Sequence, residues 1–220
     1  MPQAPTISAF VEGQFSGITV EVNNPDTVDY NLIFRTEQGE SNWVVLGVAD
    51  PNDSYTDYEA ASGIPYTYRA KSVIGTDESA YSNQLNRNVV FNKWWIRHLS
   101  DSDLSIENPF IDNDPLEINT KEEHAKFRPL QRKYPIVIKD KGIKAAEFDL
   151  SIQFLGEESF IKFEYLRSLQ ITLLLQSPMP RQWYFVFDSE GRERIHNTQD
   201  SYRHMQIGLI EVERPHYEDL

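Results

Sequence analysis

The chain has 220 residues, of which 40% are hydrophobic, so it can bury the cores of two compact domains and is not disordered throughout. It has no cysteine, which excludes thiolate catalysis and cysteine-ligated metal centres and is typical of folding in a reducing cytoplasm. The net charge of -13 repels phosphate backbones, so we expect no nucleic-acid partner.

The sequence predicts neither a signal peptide nor a membrane span. Its first ten residues have no positively charged region followed by an apolar one, as a signal peptide requires. The longest apolar run, residues 171–175, has the length of a strand. We therefore expect no membrane partner.

Short alternating segments with turn signals between them fill the first ninety residues. Strands are predicted at residues 6–11, 18–22, 30–34 and 43–47, with turns near residues 37–40 and 51–53. The most specific segment follows Gly63, where Tyr66, Tyr68 and Ala70 alternate along one strand. A tyrosine at the start of such a strand commonly hydrogen-bonds back across the corner of a β-sandwich.

This strand spacing and the Tyr-x-Tyr strand resemble a fibronectin type III domain, over residues 1–91. The resemblance implies a binding or spacing module and no enzymatic activity. It departs at one position, since Val22 stands where the family usually has a tryptophan, and we expect Trp43 or Phe34 to supply the missing volume. Tyr55 and Tyr58 are candidates for contact with a host surface or a sugar, the alternative being that both pack within the sandwich.

Residues 92–220 predict a second domain that is β-rich and contains one helix, so the fold class is mainly β. A strand opens this domain at residues 93–99, and an acidic loop follows at residues 101–114. The helix is predicted at about residues 157–169, because apolar residues recur there every three positions. Further strands are predicted over four segments, at residues 146–154, 171–175, 183–187 and 204–212.

Five motifs in this second domain resemble minor tail or baseplate proteins of long-tailed bacteriophages, in particular distal tail proteins. The motifs are Trp94-Trp95-Ile96, residues 127–137, Leu173 to Pro178, Arg181 to Tyr184, and Glu211 to Pro215. The resemblance implies a tail-protein β-sandwich with a flanking helix, a structural role at the tail tip, and localisation in the virion after synthesis in the host cytoplasm.

The sequence shows no constellation for catalysis, so we expect no catalytic residue, no cofactor and no metal ligand. No two of the five histidines have the spacing of metal ligands on a helix, and no nucleophile elbow or phosphate-binding loop is present. Glu211 and Glu213 would project from one strand face, as a glycosidase pair might, and the loop from Asp101 to Glu117 has calcium-type ligands. Solvated acidic faces explain both features more simply.

Our leading hypothesis is a tail-tip structural protein that assembles through its second domain and displays the first for spacing or weak adhesion. Expected partners are other tail and baseplate proteins, copies of itself in a trimer or hexamer, and a host cell-wall glycan. Trp94, Trp95 and Trp183 are candidate interface residues, although we expect at least one of them in the core. The rival hypotheses are an accessory carbohydrate-binding module of a secreted glycan-degrading enzyme and, less favoured, a phage endolysin or tail hydrolase.

Overall fold

The structure, a computed structural model, is mainly β and contains several antiparallel sheets, as the sequence predicts. The residues it describes are 1–11, 17–107, 110–111, 124–127, 136–139, 147–155, 157–188, 194–198 and 202–217. By their mutual contacts they group into two compact units, unit 1 with residues 1–108, 172–183 and 214–220, and unit 2 with residues 109–171 and 184–213. Whether independently folding domains meet at residues 91 and 92 stays a prediction.

Most strands of unit 1 come from the N-terminal half of the chain. They are β1 (Thr6–Val11), β2 (Ile18–Asn23), β3 (Tyr30–Glu37), β4 (Val44–Ala49), β5 (Ser54–Asp57), β6 (Pro65–Ile74), β7 (Asp77–Glu78), β8 (Leu85–Asn88), β9 (Trp95–His98) and β10 (Ile106–Glu107). One strand from the C-terminal half, which we number β15, joins them at Leu173–Gln176.

Strands β1 to β8 form two antiparallel sheets that face each other across one core. The first sheet has the order β1-β2-β5, and in the second β4, β3 and β6 are neighbours, with β7 and β8 both pairing with β6. Strand β2 buries Ile18, Val20 and Val22 and exposes Glu21 as predicted, but Thr19, which was predicted on the outer face, is buried as well. The core lies between the inward faces of these sheets.

Strand β3 turns an unexpected face to this core. Asn31, Ile33 and Arg35 are buried, whereas the more apolar set of Tyr30, Leu32 and Phe34 lies half-buried on the outer face. The two polar residues are tolerated inside because each has a buried partner: Asn31 exchanges hydrogen bonds of 2.7 and 3.0 Å with Asn24, and Arg35 pairs with Asp57.

The expectation that Trp43 or Phe34 fills the core was wrong, since neither belongs to the buried cluster. The tryptophan that does is Trp95 of β9, which is 2% exposed and belongs to the same buried cluster as the sandwich residues Ile33, Leu46 and Tyr68. A tryptophan that follows the sandwich in the chain therefore occupies its core.

Side chains cover the free edge of β1. Asn83 accepts a hydrogen bond from the Ile7 amide at 2.9 Å and donates one to the Ile7 carbonyl at 3.0 Å. Ala9 lies two residues further along β1, and its carbonyl accepts a hydrogen bond from Arg87 at 2.7 Å. The edge therefore has partners for part of its backbone without a further strand.

Strands β10, β9 and β15 pair antiparallel in that order, with Ile106 opposite Ile96 and Gln176 opposite Trp95. The acidic segment that we predicted as a loop therefore contains β10, and before it a 3-10 turn at Ser102–Leu104. The carboxylate of Asp101 caps this turn by accepting from the Asp103 amide at 3.0 Å. Ile106 is buried, which explains why the segment is ordered against β9 despite its charge.

Unit 2 contains the helix of the described chain. Its elements are β11 (Phe110–Ile111), β12 (His124–Phe127), β13 (Ile136–Lys139), β14 (Glu147–Leu155), α1 (Glu157–Ser168), β16 (Gln182–Phe187), β17 (Arg194–Thr198) and β18 (Tyr202–Glu211), the first two residues of β16 being grouped with unit 1. Strand β18 is the central one, because β14, β16 and β17 all pair with it. Strand β11 pairs with β14, and β12 and β13 form a separate antiparallel pair.

The predicted helix is confirmed at Glu157–Ser168, and the predicted three-residue spacing explains how it packs. Phe160, Phe163 and Leu166 are buried, and the ring centroid of Phe163 lies 4.8 Å from that of Phe154 on β14. Gln170, with a φ of 51°, follows the helix in the left-handed conformation that commonly ends helices.

Candidate functional site

The most polar part of the unit 1 interior is a buried ion pair between its two sheets. Arg35 on β3 donates from Nη1 to both carboxylate oxygens of Asp57 on β5, at 2.9 and 2.7 Å. Tyr68 of β6 donates its hydroxyl hydrogen to the same carboxylate at 2.7 Å, and the Glu59 amide donates at 2.9 Å. Asp57 is fully buried, so these four hydrogen bonds replace its contacts with water.

The surroundings favour the charged form of Arg35 and the neutral form of Tyr68. Burial disfavours the charged guanidinium, yet Asp57, Tyr68, Glu59 and Tyr66 together outweigh it and hold the pKa of Arg35 well above its ordinary value. Burial and the charge of Asp57 together raise the pKa of Tyr68 well above its ordinary value. A buried carboxylate with a permanent cationic partner is suited to joining two sheets, whereas an acid–base catalyst must reach its substrate.

Tyr66 makes the predicted bond across the corner of the sandwich. Its hydroxyl oxygen accepts from the amide of Ala61, five residues upstream, at 3.3 Å. The guanidinium carbon of Arg35 lies 4.6 Å from the centre of its ring. The corner and the ion pair therefore support one another.

The loop after β5, residues 58–62, contacts segments that are distant in sequence. Glu59 accepts two hydrogen bonds from Arg214, at 2.6 and 2.9 Å, and Ala60 accepts one from the Gln176 side chain at 3.0 Å. Gln176 in turn accepts from Nε of Arg97 at 2.6 Å, and both of these side chains are fully buried. We call this loop with Arg97, Gln176 and Arg214 the clamp.

The three predicted interface tryptophans occupy two different environments. Trp95 lies in the core, as described above. Trp94 and Trp183 are half-buried, and their rings stack with centroids 6.4 Å apart and planes 13° from parallel. The stack brings together two of the predicted residues, 89 positions apart in the chain, at a place where part of each ring remains accessible.

Both predicted host-contact tyrosines pack against the sandwich. The Tyr55 hydroxyl donates to the Leu46 carbonyl at 3.1 Å, and its ring leaves no room for a side chain at Gly47, where an added Cβ would lie 2.6 Å from Cε2. Tyr58 packs in the same way over Gly17, where a Cβ would lie 2.8 Å from Cδ1. Whether either residue contacts a host surface stays a prediction, and its accessible area is reduced by this packing.

An aromatic and cationic cluster on the outer face of the second sheet was missed by the sequence analysis. The guanidinium of Arg69 lies between two rings, 3.7 Å from the centroid of Trp43 and 3.4 Å from that of Tyr81. Phe34 meets Tyr81 edge to face at 5.5 Å. The alternation of Arg69 and Lys71 with the buried Tyr68 and Ala70 was the available signal, because it places both cations on the outer face.

The described residues contain no group of three or more side chains suited to hold a metal ion. In the acidic loop that we had considered as an alternative calcium site, Asp101 serves as a cap and Glu107 forms an ion pair with Lys93. Asp112, Asp114 and Glu117 lie outside the described residues, as does most of the motif at residues 127–137. Within the described ranges, no helix has the length and apolar character needed to cross a membrane.

No protein-family model and no curated protein matches the chain. Among solved structures it is similar to one described as titin kinase and its flanking domains, with a TM-score of 0.31 and 9% sequence identity. That similarity covers 96% of this chain and 37% of the other, so this chain spans little more than a third of that structure's length.

Proposed function

We propose that the chain is a structural protein of the tail tip of a long-tailed bacteriophage, and that it has no enzymatic activity. One observation carries the proposal: in unit 1, the residues of four of the tail-protein motifs lie at or beside the clamp. Gln176 pairs with Trp95 across β15 and β9, Trp183 stacks on Trp94, and Arg214 binds Glu59. Motifs that are scattered along the sequence thus join in supporting the N-terminal sandwich.

The arrangement of the sandwich supports the fibronectin type III assignment, which remains part of the proposal. Three strands face a second sheet built on β4, β3 and β6, and the Tyr66 corner bond is of the kind found in such sandwiches. We propose that this sandwich acts as a spacer or weak adhesin, held by the clamp in a fixed orientation within unit 1.

The proposed mechanism is multivalent assembly. A trimer or hexamer around the tail axis presents several copies of the sandwich at once, so weak contacts with a host cell-wall glycan add up to useful avidity. The Trp94–Trp183 stack is the proposed contact with a neighbouring tail protein, because half-buried aromatic pairs are common anchors at interfaces.

Mass spectrometry of purified virions of the phage that encodes this chain tests the proposal. We expect the chain among the virion proteins, at a copy number that is a multiple of three. Its absence from the particles would refute the tail-tip function. A cell-wall turbidity assay tests the non-enzymatic part, because clearing of the suspension by the purified chain would instead favour a hydrolase.

A further inference from the structure

The aromatic and cationic cluster on the outer face of the second sheet is partly open to solvent. Arg69, held between the rings of Trp43 and Tyr81, is half-buried, as is Trp43, while Tyr81 is 41% exposed. On the same face Val48 of β4 is 49% exposed, opposite the half-buried Leu32. The face therefore combines accessible apolar area with a positive charge.

Arg69 is the one basic side chain of the first 92 residues that has no polar partner among the described residues. That segment holds twelve acidic and four basic side chains. Of the basic ones, Arg35 and Lys71 each pair with a carboxylate, and Arg87 donates to two backbone carbonyls. The contacts of Arg69 with described residues are those with the rings. An arginine left unpaired in a segment so rich in carboxylates has its donors available for a partner from outside.

The rings restrict how such a partner can approach Arg69. They cover the two faces of the guanidinium, and its Nε is buried without a hydrogen-bond partner. The two terminal nitrogens also lack a partner but keep accessible surface, so the edge that they form is the open side. This edge suits a planar carboxylate, which accepts from both nitrogens at once. Because the stack has already fixed the orientation of the group and removed water from part of it, pairing costs less than it would for a free side chain.

The surroundings of Arg69 favour a protein as the source of that carboxylate. Small-molecule sites are concave, whereas this is the outer face of a sheet. Tryptophan, tyrosine and arginine, which form the cluster, are the residue types that contribute most binding energy at protein interfaces. Since Glu78 already neutralises Lys71, at an N–O distance of 2.8 Å, one positive charge remains, which matches a single acidic side chain.

We propose that this face docks an acidic protein segment, in which an aspartate or glutamate pairs with Arg69 while neighbouring apolar side chains lie against Tyr81 and Val48. The face consists of other residues than the Trp94–Trp183 stack, and the proposal does not rest on the tail-tip function. Binding is measured on the purified chain, so its failure is distinct from absence of the chain from virions.

Nuclear magnetic resonance titration of the full, isotope-labelled chain tests the proposal. The probe is a capped pentapeptide with a central glutamate, a leucine on each side and serines at the ends, and the control peptide has glutamine at the centre. We expect the glutamate peptide to shift the indole N–H resonance of Trp43, which a Trp43→Phe variant assigns, and to bind at least about tenfold more tightly than the control. No shift at millimolar peptide, or equal affinity for the two peptides, would overturn the proposal. Tighter binding of inorganic phosphate would assign the face to a phosphate ligand and overturn the protein partner.

Matched variants locate the binding at Arg69. Arg69→Met keeps an apolar stem between the rings but removes the donors, and should weaken binding of the glutamate peptide at least about tenfold. Arg69→Lys keeps the charge without the planar fork and should recover only part of the loss. Lys93→Met removes one charge from an exposed ion pair elsewhere in unit 1 and should leave the affinity unchanged. Equal losses in Arg69→Met and Lys93→Met, or full affinity in Arg69→Lys, would overturn the site, and circular dichroism confirms that each variant is folded.

Discussion

At the scale of single residues, Asp57 is the side chain on which the interior of unit 1 most depends. Asp57→Asn keeps its shape but leaves Arg35 buried without a counter-charge, so we expect the free energy of unfolding to fall by about 3–5 kcal/mol. Urea denaturation measures the change. The exposed Asp50→Asn should cost less than about 0.5 kcal/mol, and equal losses at the two positions would contradict the importance of the buried pair.

The environment of His98 leads us to expect that the free energy of unfolding depends on pH. Its Nδ1 accepts from the amides of Asp101 and Ser100, at 3.0 and 3.3 Å, so the folded state favours the neutral ring. Burial lowers the pKa of His98, with Asp101 opposing the shift. The unfolded chain therefore takes up the proton first, and the stabilisation by His98 is present above a pH of about 6.5 and lost as the pH falls through the lower pKa of the folded state.

The measurement is a series of urea denaturations between pH 5 and 8, on the wild type and on His98→Asn. Asparagine retains an acceptor but does not titrate in this range. We expect the wild type to lose more stability than the variant as the pH falls. Parallel curves would show that protonation of His98 is not coupled to folding.

At the scale of elements, the clamp joins segments that lie far apart in the sequence. Glu59 and Arg214 are 155 positions apart, and the Glu59 carboxylate is 5% exposed. Arg214→Met removes both of the charge-assisted hydrogen bonds that Arg214 donates to this buried carboxylate, so we expect a loss of about 3–5 kcal/mol. A double-mutant cycle with Glu59→Gln should give a coupling energy of about 1–3 kcal/mol.

The ion pair of Lys71 with Glu78 is the matched control, because its N–O distance of 2.8 Å is similar but Glu78 is half exposed. Its coupling energy should stay below about 1 kcal/mol. If the two cycles gave equal coupling energies, burial would not be what makes the clamp strong.

The elements themselves were largely predictable from sequence, whereas their partners were not. Helix α1 and strands such as β2 have a periodicity that local residues alone establish. The residue pattern of β3 does not reveal which face is buried, because the polar side chains of Asn31 and Arg35 can be buried only when Asn24 and Asp57 bond to them. The hydrogen bond from Gln176 to Ala60 spans 116 positions, and nothing in either local segment signals the other.

At the scale of the whole molecule, substitutions at the three candidate interface tryptophans test folding and assembly separately. Trp95→Ala should cost about 3–5 kcal/mol, because it empties a large core position. Trp94→Ala and Trp183→Ala should leave the fold intact but reduce the trimer or hexamer of the full chain to smaller species. Light scattering after size exclusion measures the mass; a wild-type chain that stays monomeric, or variants that assemble normally, would contradict the proposed interface.

The covered edge of β1 has a consequence for crowding. In the assembly that we propose, several sandwiches lie close together on one particle at effective concentrations far above those of free proteins, where an open strand edge would recruit the same edge of its neighbour. The side-chain amide of Asn83 bonds the amide and the carbonyl of Ile7, which are backbone groups that a neighbouring strand would need. At Ile7 and Ala9, pairing of β1 with the same edge of a neighbouring copy would first have to displace the side chains of Asn83 and Arg87.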